Sequence, residues 1–132
     1  MSAKIPIKTR EAPAAIGPYS QGVRAGEFVF TSGQLPTPPQ GELESDDIGQ
    51  LTRQALANIS AILSGAGASL ADVVKVVVFL TDMNDFGAMN SAYAEAFSAP
   101  YPARSCIEVS HLPKGVPIEI EAVAWIGSGR EP

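Results

Sequence analysis

The run Val73 to Thr81, VVKVVVFLT, constrains the fold more than any other part of the chain. It is β-branched almost throughout, a composition that suits a pleated sheet and loses side-chain freedom in a helix. Apart from Lys75 it shows no alternation of apolar and polar residues, so it reads as a central strand buried on both faces. Both flanking segments read as helices that could cover it. On one side, Ile48 to Ser64 carries apolar residues at 48, 51, 55, 59, 62 and 63, the spacing of an amphipathic helix. Ser45 to Asp47 offer its N-cap, and Gly65 and Gly67 its stop. On the other side, Phe86, Met89, Tyr93 and Phe97 fall on one helical face, with Asp82 or Asn84 as cap and Pro100 beyond the end.

Strand pairs lie outside these three elements. Gln21 to Arg24 and Glu27 to Ser32 flank Ala25-Gly26 and read as a hairpin, with Phe28 and Phe30 facing opposite to Val29 and Thr31. Pro36, Pro38 and Pro39 end it, while Pro13, Gly17 and Pro18 keep Ala12 to Tyr19 irregular. At the far end, Ala103 to Ser110 and Ile118 to Ile126 read as a second hairpin closed near residue 114. Ile118, Ile120, Ala122, Ala124 and Ile126 share one face of its last strand, and Glu119 and Glu121 the other. The expected order is ββαβαββ, and two helices on one sheet make a two-layer α+β sandwich.

With 132 residues, 1–132 is expected to form a single domain. Apolar content of 45% against 17% charged residues fits a compact protein that hides part of its apolar surface in a subunit interface. The net charge of −5, with basic residues in no cluster, argues against a nucleic-acid partner. A carboxylate ligand would need a local cation. One cysteine excludes an internal disulfide, and Cys106 with the lone His111 cannot assemble a four-ligand metal site. The N-terminus lacks an apolar leader core and no stretch is long enough to span a bilayer, so the chain reads as cytoplasmic, with no membrane partner.

Arg104 is the residue that most invites a functional reading. Alternation puts Arg104, Cys106 and Glu108 on one side of a strand and Ser105, Ile107 and Val109 on the other. The planar guanidinium suits a carboxylate held by two parallel hydrogen bonds. Gly17 to Gln21, Thr31 to Gln34 and Glu119 are the other candidates, although each alone has an ordinary explanation as loop punctuation, a strand end or a solvated acid. Asn90 adjoins Met89 and Tyr93 and could offer its amide to a ligand or to a structural bond. A lone cysteine is usually a small buried hydrophobe, and His111 lies about five residues away in a loop with no local signature of an activated nucleophile, so Cys106 reads as structural or ligand-lining. In the expected hairpin, Arg104 and Glu119 stand more than about 13 Å apart, at roughly 3.3 Å per residue. A small substrate could touch both only in a site shared between subunits.

Taken together and in order, APAAIGPYSQ (Ala12 to Gln21), TSGQ (Thr31 to Gln34), PARSCIEV (Pro102 to Val109) and IEIEAVA (Ile118 to Ala124) resemble the RidA (YjgF-type) enamine/imine deaminase family. The resemblance runs from about Ala12 to Ala124. It implies a chorismate-mutase-like α+β fold assembled as a homotrimer with clefts between subunits. It also implies hydrolysis of 2-aminoacrylate and related enamines or imines to 2-keto acids and ammonia, with no cofactor and no metal. By position, Arg104 would hold the substrate carboxylate and Glu119 would orient the attacking water. Ser32, Gly33 and the backbone around Cys106 would line the cleft, and Tyr19 would close it. Two other functions compete with this one. The first is a non-catalytic protein that binds 2-keto acids or other small carboxylates. The second is RNA cleavage or translation inhibition, sometimes attributed to the family, against which the acidic balance and the lack of a His pair weigh.

Overall fold

The computed structural model describes residues 3–127. Six strands form one sheet: β1 (Ile5–Ile7), β2 (Gly22–Ala25), β3 (Phe28–Thr31), β4 (Val73–Leu80), β5 (Ala103–Glu108) and β6 (Ile118–Trp125). Two helices, α1 (Ile48–Ser64) and α2 (Phe86–Ala96), pack on one face. The spatial order is β1-β2-β3-β6-β4-β5. The α+β two-layer sandwich is therefore as expected, with one strand more than the sequence suggested. β1 pairs antiparallel with β2, Ile5 opposite Arg24 and Ile7 opposite Gly22. Pro6 removes a donor and hides the strand from pattern reading, yet an edge position tolerates it.

The second expected hairpin does not form. β4 lies between β5 and β6, running antiparallel to β6 and parallel to β5. A parallel neighbour needs a crossover, and α2 supplies it, so strands adjacent in sequence are separated in the sheet. The first hairpin does form, with its turn one residue later than expected. Ala25 opposes Phe28, leaving Gly26 and Glu27 as the loop. Gly26 has φ +61 at the first turn position, where a type II′ turn requires a left-handed residue.

Asp47 caps α1 by accepting from the backbone N–H of Gln50, and Leu51, Ala55, Ile59, Ile62 and Leu63 are buried beneath it. Asp82 caps the turn that leads into α2, accepting from the N–H of Asn84. On the helix-covered face Val76, Val78 and Leu80 of β4 meet Ile118, Ile120 and Ala122 of β6, all essentially inaccessible. The opposite face corrects the reading of β4 as buried on both sides. Val77 and Phe79 are only half-buried, because none of the described residues forms a second layer over them. Phe28 (42% exposed), Phe30 (45%), Ile107 (45%) and Trp125 (48%) continue this open apolar face across the sheet. Contiguous exposed apolar faces of this kind are a feature of interaction surfaces.

Candidate active site

Glu119 is set in place by an irregularity in the β3–β6 ladder. Phe30 opposes Val123 and Gln34 opposes Ile120, so three residues, Thr31 to Gly33, lie opposite two, Glu121 and Ala122. The extra residue makes a bulge, a device that re-aims side chains near binding sites. Two hydrogen bonds hold Gln34 to Ile120, and the Thr31 hydroxyl accepts from the N–H of Ala122. Within this bulge Gly33 lies directly under the Glu119 carboxyl. A Cβ at Gly33 would meet Oε2 in a severe clash and Cδ at 2.6 Å, so the glycine of TSGQ exists to let the carboxyl approach the backbone. Burial pushes the Glu119 carboxyl above the usual carboxylate range, and the like charge of Glu121 adds to the shift.

Ser32 holds the loop that closes this corner. Its hydroxyl donates to the carbonyl of Ser20 (2.6 Å) and its N–H to the carbonyl of Gln21. Buried Gln21 in turn donates to the carbonyls of Thr9, Ala12 and Pro13 and accepts from the N–H of Thr9. It is the hub of the N-terminal segment, a role that the sequence motif contained but did not reveal. The result is a cleft of about 650 Å³ whose walls include Tyr19, Ser32, Gly33, Gln34, Lys114 and Glu119. Lys114 was not foreseen. It stands in the left-handed region, φ 59 and ψ 15, and among the described residues it is the one cation on that cleft's walls. A larger cleft of about 830 Å³ lies beyond Tyr19, with Lys8 and Arg10 among its walls. It contains neither Glu119 nor Arg104, so we place no chemistry in it.

Arg104 is elsewhere. On β5 it opposes Val76 of β4, and cross-strand partners share a face, so Arg104, Cys106 and Glu108 point toward the helices. Glu119 opposes Phe79 and points to the open face. The two residues are thus on opposite sides of the sheet. The conclusion that one chain cannot bring both to a small molecule stands, but its reason is sheet topology and not a hairpin. Arg104 Nη1 donates to Asn90 Oδ1 at 2.7 Å, and the guanidinium lies over the rings of Tyr93 (4.6 Å) and Phe86 (5.5 Å). Among the described residues its Nε and Nη2 bond to nothing else, which leaves one edge of the fork free for a ligand.

The structure therefore gathers Tyr19, Ser32, Gly33 and Glu119 at one place and Arg104, Asn90 and Cys106 at another. Cys106 is packed against the core, and burial raises its thiol above the usual range, with the nearby Arg104 charge opposing. A protonated, half-buried thiol is a poor nucleophile. Cys106→Ala is expected to keep at least about half the wild-type turnover while losing on the order of 1 kcal/mol of stability. A covalent adduct on Cys106 during turnover, detected by mass spectrometry, would contradict this.

The family model described as Endoribonuclease L-PSP matches residues 9–126, and the chain belongs to that family. Over 121 residues it is 50% identical to the 2-iminobutanoate/2-iminopropanoate deaminase of Salmonella typhimurium, covering 89% of this chain and 94% of that protein. The crystal structure of Escherichia coli TdcF with bound serine superposes with a TM-score of 0.87 at 46% identity, covering 93% of this chain and 99% of that one. RidA from an Antarctic Psychrobacter species gives a TM-score of 0.87 at 44% identity, over 91% and 98% of the two chains. The RidA relationship expected from the four motifs is thus met in both sequence and structure. Among the described residues no helix is long and apolar enough to cross a membrane.

Proposed function

We propose that this chain hydrolyses 2-aminoacrylate and related enamines, as their imine tautomers, to 2-keto acids and ammonia. It acts as a cytoplasmic homotrimer with its clefts between copies. The observation that carries this reading is the Glu119 carboxyl, lodged on Gly33 in a cleft with no cation within ion-pair distance among the described residues. Half-buried and raised, it is a carboxylate poised to take a proton from water. The free edge of Arg104 in a neighbouring copy supplies the carboxylate anchor. The exposed aromatic face of Phe28, Phe30 and Trp125 supports such an assembly.

The chemistry needs only positioning. A protonated imine already has an electrophilic carbon, so water adds to C2 while Glu119 accepts its proton, giving a neutral carbinolamine. Glu119 then returns that proton to the amine nitrogen and takes the C2 hydroxyl proton as the C–N bond breaks, giving the ketone and ammonia; the ammonia leaves as ammonium with that proton, which restores the carboxylate. No redox partner is required. Arg104 fixes the substrate carboxylate so that the water lies on the reacting face, converting a bimolecular encounter into an oriented one. Tyr19, Ser32 and Gly33 line the cleft in which this occurs.

The pH dependence follows from the direction of the Glu119 shift. Burial and Glu121 both raise it, so the acid limb of kcat should lie above the ordinary carboxylate range. Glu121→Gln removes the second cause, and that limb should move to lower pH while the plateau is kept. A limb that stays in place would detach the profile from Glu119.

The competing reading is a small-carboxylate binding protein, favoured by the serine bound to the TdcF relative. The two readings separate at Glu119, since Glu119→Gln should abolish turnover and leave carboxylate binding. RNA cleavage, despite the family's description, is disfavoured by the net charge of −5 and the scattered basic residues. The direct test generates 2-aminoacrylate in situ with a serine dehydratase and follows pyruvate release. A rate above that of the dehydratase with buffer supports hydrolysis, and no increment contradicts it.

A further inference from the structure

Phe86, Asn90 and Tyr93 recur at steps of four and three, so they form one stripe of α2. All three touch the guanidinium of Arg104, which projects from the edge strand β5. Each contact restricts a different freedom. The ring of Tyr93 at 4.6 Å and that of Phe86 at 5.5 Å fix the height and tilt of the guanidinium. The bond to Asn90 Oδ1 occupies Nη1 and stops rotation about the axis of the fork. An arginine on a sheet edge would otherwise sample several rotamers, and ordering it on binding costs affinity.

We propose that Asn90 and Tyr93 are positioning residues for Arg104, which hold the guanidinium so that its Nε–Nη2 edge is reserved for the carboxylate of the ligand. From the sequence Asn90 could offer its amide to a ligand or to a structural bond, and in the structure its amide oxygen accepts from the arginine. This inference rests on the proposed role of Arg104 and adds the device that presents it. The Tyr93 hydroxyl sharpens the argument, because it is buried and has no hydrogen-bond partner among the described residues. An orphaned hydroxyl contributes nothing to a bond and carries a desolvation cost. The useful part of Tyr93 is therefore its face, and phenylalanine should replace it.

The test compares wild type with Asn90→Leu, Tyr93→Leu and Tyr93→Phe in two assays. Hydrolysis of 2-iminopropanoate yields KM and kcat separately, and calorimetry with pyruvate yields affinity without turnover. For Asn90→Leu and Tyr93→Leu the expected result is a rise of about tenfold in KM and in pyruvate Kd, with kcat reduced less than about threefold. Tyr93→Phe should restore both to within about twofold of wild type. A merely structural role would instead lower the melting temperature and the active fraction, leaving KM and Kd unchanged, and that outcome overturns the inference. So does a Tyr93→Phe protein as impaired as Tyr93→Leu, or a wild-type protein that does not bind pyruvate. If wild type binds pyruvate but hydrolyses no imine, the deaminase reading fails while the calorimetric comparison still decides the positioning role.

Discussion

Arg104→Lys is expected to hydrolyse 2-aminoacrylate almost as poorly as Arg104→Ala, both falling roughly 10²- to 10³-fold in kcat/KM. Charge alone would predict otherwise, since lysine keeps it. Arg104 does two things at once, however. Nη1 is committed to Asn90 at 2.7 Å, while Nε and Nη2 remain free for a carboxylate. The planar fork also rests over the Tyr93 and Phe86 rings. An ammonium is a compact, strongly hydrated charge that cannot hold the helix with one nitrogen and offer two parallel donors with others. The assay is pyruvate release with 2-aminoacrylate generated in situ, using variants shown to be folded by their melting curves. Near wild-type hydrolysis by Arg104→Lys would reduce the role of Arg104 to charge.

Much of the fold was legible because its signals are local. The spacing of Leu51, Ala55, Ile59 and Ile62 predicts α1 with the ends observed, and Asp47 sits where the cap was expected. What was not legible is non-local. Sequence predicts strands over 103–110 and 118–126, observed over Ala103–Glu108 and Ile118–Trp125, but not that β4 lies between them, because that depends on α2 carrying the chain over the sheet. β1 was hidden by Pro6, which only an edge position permits. The open face of β4 was misjudged because a β-branched run looks the same whether its second cover comes from the same chain or another.

The site divides in the same way. Arg104, Glu119 and Gly33 could be picked out as residue types, and the family motifs gave them roles. Their relations could not be read from the sequence. Asn90 accepts a hydrogen bond from the arginine, Gly33 is required by the approach of Glu119, and Lys114 reaches the cleft through a left-handed backbone that lysine seldom adopts. Each depends on which strands are neighbours and which face is covered.

The central claim is that Arg104 of one copy and Glu119 of another complete a single cleft. Within the chain they lie on opposite faces of the sheet, on strands separated by β4. Arg104→Ala lacks the anchor in every cleft and Glu119→Gln lacks the base, a loss of roughly 10²- to 10⁴-fold for general-base catalysis. Each variant alone should therefore be nearly inactive. Co-refolding the two at equal amounts distributes the chains at random, so half of all clefts receive an intact Arg104. Half of those also receive an intact Glu119 from the neighbour, and about 25% of the wild-type rate should return. The measurement is the rate of 2-aminoacrylate hydrolysis by that mixture, with subunit exchange verified by native mass spectrometry. Recovery near a quarter of wild type is the predicted result; complete exchange with no recovered activity would contradict a cleft shared between copies.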